Sequence, residues 1–419
     1  MRNKYLILIT ESYPYGAVAE SFLDKEILYL SKSFNSIIII PCNLPPEIER
    51  VERALPKNIA VDSSLLKFLQ KKKNILLNLF RGIAKFYINF KEIINKPKIF
   101  FDFRALMRML YYFYRALLIE KWVLNYIKNT DIDLKNTIFY TYWLSPATMG
   151  INTAKRKCKL IKIISRAHGG DLYEERHYSD YLPFRYETMN IDHLFPISMH
   201  GLNYIRNRYP FLKAKCTLSY LGVENPGFIS QTSSDNTFRL VTCSYVVPVK
   251  RIHLIIYALK IIGIKRPEIK IEWTHIGYGP LFQQMKELAD ELLPKNILYN
   301  FLGFLPTNEV YLYYKNKPID VFLNVSASEG LPVSIMEAQS CGIPVIATAV
   351  GGTPEIVNEK VGILLSPNPT PEEIGSAIEY LIDNSEIAKQ MRYSSIKNWE
   401  ERFNACKNFS EFINIIKKI

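Results

Sequence analysis

Short apolar runs alternating with amphipathic stretches constrain this chain more than any other feature. Tyr5–Thr10 (YLILIT) reads as a buried strand, and a turn with Pro14 and Gly16 follows. A helix is predicted from Ser21 to Ser31, and Ser36–Pro41 (SIIIIP) is the next strand. This strand–loop–helix–strand rhythm argues for a parallel α/β sheet. It returns with Thr137–Thr141 and Leu160–Ser165. A second set starts at Phe238–Ser244 and continues through Lys270–His275, Asn324–Ser326, Pro344–Thr348 and Gly362–Leu365.

With 419 residues the chain is too long for one ordinary core. Two doubly wound, Rossmann-like domains are expected, over 1–222 and 238–395, facing a central cleft. Residues 223–237, rich in Pro, Gly, Ser, Thr and Asn, are the expected linker. The helical stretch from Trp399 to Ile419 ends basic, and residues 396–419 are expected to pack back toward the first domain. Doubly wound domains bind ligands at the carboxyl ends of their strands.

Charge is unevenly spread. Residues 1–222 hold 34 Lys+Arg against 19 Asp+Glu, a balance of +15, whereas residues 223–419 hold 19 against 21. An anionic partner for the first half is implied, whether nucleic acid, membrane or a lipid phosphate. Residues 65–128 read as helical. Leu76, Leu79, Phe80, Ile83, Tyr87, Phe90 and Ile94 form one stripe, and Arg104–Lys128 is crowded with aromatics. Core packing and membrane contact through residues 51–128 are both open for them. No run approaches the roughly 18 apolar residues of a spanning helix. Glu11 ends the first apolar stretch too early for a signal peptide. The six cysteines are scattered without a C-x-x-C pair, which fits a reducing cytoplasm and argues against zinc or a disulfide framework.

The run Ser326–Val357 (SASEGLPVSIMEAQSCGIPVIATAVGGTPEIV) carries most of the chemistry. It reads as strand, loop, helix, strand, turn, helix, with Pro332 suited to the first helical turn and Gly342 to the helix end. Glu329 falls in the loop at the helix start and Glu337 near its middle. Gly330 allows close backbone approach, and a helix amino end favours phosphate. Carboxylates accept hydrogen bonds from sugar hydroxyls.

Here the chain resembles the family 4 retaining glycosyltransferases of the GT-B fold. The likeness rests on Glu329-Gly-Leu-Pro-Val-Ser-Ile-Met-Glu337, Gly342-Ile-Pro-Val-Ile-Ala-Thr348 and Gly351-Gly-Thr-Pro-Glu355. It implies that Glu329 contacts donor-sugar hydroxyls, with Gly330, Leu331 and Pro332 around the donor, and that Glu337 contacts the nucleotide ribose. Ser244–Arg251 is similar to the donor-phosphate segment, which gives Lys250 the diphosphate. The family has arginine where Tyr245 stands, so either Arg251 or the Tyr245 hydroxyl is left to complete the clamp. Gly277-Tyr-Gly279-Pro280 is similar to a donor-side turn, a tight turn alone being the other reading. Arg166-Ala-His168-Gly-Gly-Asp171 resembles the segment whose histidine reaches a donor-sugar hydroxyl. Asp171 is read as acceptor-side or turn-forming. Gly16 and Glu20 lie in the counterpart of the first glycine loop, bordering donor phosphate and acceptor, with a plain strand-to-helix turn as the alternative. Asp131-Ile-Asp133 matches a metal motif only formally and reads as solvated turn chemistry.

The resemblance implies a cytoplasmic enzyme, at the inner membrane face if lipid-linked acceptors are used. It would need no metal or other cofactor. A sugar would pass from a UDP- or GDP-sugar to a hydroxyl of a glycan or lipid-linked acceptor, with retention, in surface polysaccharide or glycoconjugate synthesis. Attack comes from the face that the phosphate leaves, and no protein nucleophile is needed. A sugar-nucleotide epimerase and a basic nucleic-acid-binding protein are the rival classes. The first half shows no nucleic-acid module, so nucleic acid is not expected as a partner.

Overall fold

The computed structural model describes residues 4–16, 20–45, 52–71 and 92–419. Leu76, Leu79, Phe80, Ile83, Tyr87 and Phe90, expected on an apolar helical stripe, lie outside the described residues. Two compact units are present. One comprises Met1–Ser219 with Phe409–Ile419, and the other Tyr220–Asn408.

The first unit is built on β1 (Tyr5–Thr10), β2 (Ser36–Pro41), β3 (Ile59–Val61), β4 (Thr137–Thr141), β5 (Lys162–Ala167) and β6 (His193–Pro196). They pair in parallel in the order β3-β2-β1-β4-β5-β6. Every β4 residue is buried, as expected of a strand covered on both faces. The helices are α1 (Leu23–Ser33), α2 (Ser64–Lys71), α3 (Phe103–Asn129), α4 (Pro146–Lys157), α5 (Arg185–Met189) and α6 (Met199–Arg208). Asp102 starts α3 by accepting from the backbone N–H of Arg104 and Ala105.

A fully buried ion pair crosses this core. Arg166, on β5, donates through Nε to Glu26 of α1 at 2.9 Å, and both side chains are 0% exposed. Such a pair is costly to bury unless most of its other polar atoms are also bonded. Tyr140 donates to the second Glu26 oxygen and Arg166 Nη1 to the Ser219 carbonyl and hydroxyl, while Arg166 Nη2 has no hydrogen-bond partner among the described residues. The Phe412 ring lies 4.1 Å from the guanidinium, contributed by the chain's last helix.

The second unit repeats the plan with β7 (Thr237–Cys243), β8 (Lys270–Ile276), β9 (Ile297–Gly303), β10 (Val321–Asn324), β11 (Val345–Thr348) and β12 (Gly362–Leu365). Their order is β12-β11-β10-β7-β8-β9, again parallel. Between and after them run α7 (Ile252–Lys265), α8 (Phe282–Leu292), α9 (Thr307–Asn316), α10 (Val333–Ser340), α11 (Thr353–Ile356), α12 (Pro371–Asp383), α13 (Ser385–Arg402) and α14 (Ala405–Ile416). In both units the strand order reverses beside the first strand, so β1/β4 and β7/β10 are the switch points where such sheets open for ligands.

Several expected boundaries move. Residues 223–237 are built into the second unit. Ser230 N–H donates to the Cys341 carbonyl, and Ser233 bonds Asp320 through its N–H and hydroxyl. The expected strand Asn324–Ser326 instead ends at Asn324, whose side-chain oxygen accepts from Ser326 N–H and turns the chain. One helix from Trp399 to Ile419 was expected, but α13 and α14 are separate. Val223 takes the backbone groups of Phe403 and Ala405 and interrupts the ladder. Residues 396–408 therefore stay in the second unit, and Phe409 onward joins the first.

Removing one partner of the Glu26–Arg166 pair leaves a buried charge unmatched. Glu26→Gln or Arg166→Met is therefore expected to cost about 3–5 kcal/mol in urea unfolding. The double variant Glu26→Leu/Arg166→Met should cost less than the sum, and additive losses would show that the two charges do not compensate each other.

Candidate functional site

The loops leaving β7 and β10 meet around one charged pair. Lys250 ends the Pro248–Lys250 turn after β7, and Glu329 lies between β10 and α10. Lys250 Nζ donates to Glu329 Oε1 at 2.6 Å, and Asn324 Nδ2 donates to the same oxygen at 3.3 Å. Burial pushes the Glu329 carboxyl up, but the adjacent Lys250 ammonium outweighs it and holds the group below the ordinary carboxylate range. An ionised carboxylate and an ammonium with further N–H donors thus sit together, one suited to hydroxyls and the other to phosphate oxygens.

Glu337 belongs to the same neighbourhood. It is half-buried in α10, and its charge reaches Cys243 at the end of β7, which Lys250 reaches from its own side. Burial pushes the Cys243 thiol up to about 12, with Glu337 adding to the rise, so this cysteine is an inert wall. The three residues singled out for the donor therefore gather at one switch point.

Before α10, Leu331 and Pro332 are buried, and Pro332 stands at the N-cap one residue ahead of the helix. The amino end of α10 takes no side-chain cap. At its other end Gly342 has φ +72°, with Ile343 N–H reaching back to the Ala338 carbonyl, which closes the helix as expected.

The glycines expected at the donor have a reason inside the protein. A Cβ on Gly277 would lie 1.9 Å from the Ser244 carbonyl oxygen, and one on Gly279 would lie 2.6 Å from that of Val246. Both let the β8–α8 loop lie directly on the β7–α7 loop that carries Lys250. Gly330 accepts from Gly352 N–H, and a Cβ on Gly351 would lie 1.9 Å from the Glu329 carbonyl oxygen. These contacts set the height of the Glu329 loop.

Of the two candidates for a second phosphate donor, Arg251 is committed elsewhere. Its Nε donates to the Val325 carbonyl at 2.7 Å and Nη2 to those of Ser326 and Pro367, while Nη1 reaches Asn368. The residue sits at φ +51°, which costs a non-glycine residue about 1 kcal/mol, and these bonds offset that strain. Arg251 clasps the ends of β10 and β12 to the Lys250 turn. The Tyr245 ring beside this turn is 52% exposed.

In the first unit, His168 follows β5 and is 6% exposed within a box of Trp143, Tyr142 and Phe22, whose ring centroids lie 4.3, 5.0 and 5.7 Å away. Neither ring nitrogen has a hydrogen-bond partner among the described residues, an uncommon state for a buried polar group. Asp171 forms the turn. Its oxygens accept from the N–H groups of His168 and Leu144 at 2.7 and 2.8 Å. Arg185 holds that turn from behind, bonding the Asp171 carbonyl and the Tyr112 hydroxyl.

Glu20 was expected on the acceptor side, and its carboxylate instead organises its own loop. It accepts from the N–H groups of Glu11, Ser12 and Tyr13 and from Trp143 Nε1. Gly16, at φ +76°, accepts from Arg53 through its carbonyl. Asp133 is likewise a turn former, bonded to Lys135 N–H and Asn136. Among the described residues, no group of three or more His, Cys, Asp or Glu side chains is placed to hold a metal ion. Asn324, Trp143 and Arg185 were missed in the sequence. Asn324 alone left a signal, as a polar residue ending the apolar run VFLN.

Residues 228–398 match the family described as "Glycosyl transferases group 1". An uncharacterized glycosyltransferase of Methanocaldococcus jannaschii is 28% identical over 286 residues, 66% of this chain and 74% of that one. The amylovoran biosynthesis glycosyltransferase AmsK of Erwinia amylovora is 26% identical over 153 residues, 35% of this chain and 37% of its own length. Among solved structures, Anabaena HepE in complex with UDP is 15% identical with a TM-score of 0.64, covering 99% of this chain and 100% of that one. The apo lipopolysaccharide outer core galactosyltransferase WaaB is 16% identical with a TM-score of 0.67 over the same shares. The two Rossmann-like domains have the GT-B fold, and the match over residues 228–398 together with the glycosyltransferase relatives makes the chain a glycosyltransferase.

Replacing Arg251 separates its clasp from its strain. Arg251→Ala is expected to destabilise the chain by about 2–3 kcal/mol, and Arg251→Gly by about 1 kcal/mol less because glycine accepts the left-handed backbone. Equal losses in chemical denaturation would remove the strain from this account.

Proposed function

We propose that this glycosyltransferase takes its sugar from a nucleoside diphosphate sugar held at the β7/β10 switch point and transfers it with retention of anomeric configuration. The reading is carried by the Lys250–Glu329 pair beside the uncapped start of α10. Lys250 and the first N–H groups of α10 receive the diphosphate, where the helix dipole also favours negative charge. Glu329 accepts from donor-sugar hydroxyls and Glu337 from the ribose. The Tyr245 hydroxyl, rather than Arg251, supplies the further phosphate contact. His168 offers an unsatisfied imidazole nitrogen to a sugar hydroxyl.

In the transfer step the bond from the anomeric carbon to the phosphate oxygen breaks, and a bond from that carbon to the acceptor oxygen forms on the same face. The acceptor proton passes to the departing phosphate, and a nucleoside diphosphate leaves. Charge grows on the leaving group, so a fixed cation and helix N–H groups stabilise the transition state more than the ground state. No metal is required in this scheme. The acceptor is a hydroxyl of a glycan or lipid-linked saccharide in surface polysaccharide synthesis. The amylovoran enzyme and the lipopolysaccharide galactosyltransferase among the similar proteins support that class.

Thermal stabilisation by UDP-, GDP- and ADP-sugars identifies the donor, and product NMR reads the anomeric outcome. Lys250→Met is expected to lower kcat by about a hundredfold, with Glu337→Ala raising the donor KM, and EDTA is expected to leave activity unchanged. Full activity in both variants, or an inverted product, would overturn the proposal. The pH profile gives a separate check. The Glu329 carboxyl is depressed in the folded chain, so its stabilising ion pair is present at neutral pH and lost as pH falls through the folded value. In Lys250→Met burial is opposed only by the hydrogen bonds from Ser326 and Asn324, and the acidic limb of donor binding should move to higher pH.

A further inference from the structure

The second sheet ends in an open strand. β9 lies at its margin, bonded to β8 alone, and among the described residues no strand pairs with its outer side. The other sheet ends are short or bridged. β3 and β12 have three and four residues, and Cys216 bridges β6. β9 runs for seven residues, Ile297–Gly303 (ILYNFLG), with no charge and no proline. Natural edges usually carry such residues against pairing with another chain. The register with β8 shows which backbone groups are free. Ile271 N–H donates to the Asn296 carbonyl, so the even-numbered residues of β9 bond β8. Tyr299 and Phe301 therefore turn their N–H and C=O groups outward.

The side chains of this strand are ordered about its middle residue. Leu298, Asn300 and Leu302 share one exposed face, the leucines 56% and 41% exposed. Tyr299 and Phe301 share the other, half-buried against the core cluster that includes Met285 and Ala289 of α8. Outward from Asn300 the sequence runs alike in both directions, an aromatic residue and then a leucine. A two-fold interface requires a patch that complements itself. An antiparallel pair of β9 strands centred on Asn300 meets that requirement. Leu298 then lies opposite Leu302 of the second copy, Tyr299 opposite its Phe301, and Asn300 opposite its own counterpart. The outward groups of Tyr299 and Phe301 fall at the hydrogen-bonded pairs of such a ladder.

We propose that β9 is a self-association edge, joining the six-stranded second sheets of two copies of this chain into one continuous sheet. Backbone hydrogen bonds and the leucine and aromatic cross-strand pairs hold the two copies together. An unrelated peptide strand would use the same backbone groups. The two-fold order of side chains about Asn300 has meaning only for a strand that faces its own copy.

Sedimentation of the full chain at increasing concentration tests this without any donor or transfer assay. A concentration-dependent dimer is expected. Leu298→Lys/Leu302→Lys sets like charges opposite each other and should weaken the dimer about tenfold or more. Leu298→Lys/Leu302→Glu sets unlike charges opposite each other in the same register and should restore most of that loss, with thermal unfolding of the dilute chain unchanged in both. Asn300→Cys is expected to give a disulfide-linked dimer on mild oxidation, because residues facing across this two-fold lie about 4.5 Å apart at Cα, within disulfide reach. Leu298→Cys and the parent chain should not, and this comparison holds even if a lysine variant fails to fold. The proposal is overturned by a chain that stays monomeric, by a dimer that both double variants leave intact, or by Leu298→Cys linking as readily as Asn300→Cys.

Discussion

In the middle of the second sheet, β7 and β10 lie side by side while the connections that leave them diverge, and the meeting of Lys250 with Glu329 follows from that adjacency. One strand brings the Lys250 turn and the other brings the Glu329 loop, from positions 79 residues apart in the chain. Their charges meet because parallel strands all end at the same edge. The pairing also sets the state of the carboxylate. Lys250 keeps Glu329 ionised despite its burial.

Around this pair the protein uses backbone packed on backbone as its positioning device. Gly277 and Gly279 let one loop lie on the Lys250 segment, and Gly351 lets another lie on Glu329. Arg251 ties both to the end of β12. A site held this way has little freedom to drift, which suits a reaction whose catalysis rests on placing charge before the bond breaks. The same economy appears in the first unit, where Glu20, Asp171 and Arg185 spend their polar groups on loops at the carboxyl ends of β1, β4 and β5. His168 is the exception there, because neither ring nitrogen makes a hydrogen bond among the described residues, Nδ1 facing an Asp171 oxygen at 3.7 Å.

Much of this was legible beforehand. The two α/β halves, the strand–loop–helix run around Glu329 and Glu337, and the helix stop at Gly342 all follow from local pattern: apolar run length, turn residues and left-handed tolerance. What Glu20 bonds to was hidden, because its carboxylate reaches Ser12, Tyr13 and the distant Trp143 only once the loops are folded together. The break between α13 and α14 was also hidden, since it depends on Val223, far away in sequence, taking the backbone groups of Phe403 and Ala405.

The sequence by itself determined the secondary-structure rhythm, the fold class and the residue types available for phosphate and sugar chemistry, because those depend on neighbours a few residues apart. Only the tertiary structure decided what each polar group does. Hydrogen bonds and ion pairs act over about 3 Å in space whatever the separation along the chain. That is how Arg166 became half of a buried ion pair, Arg251 a clasp on three carbonyls, and Lys250 the partner of Glu329.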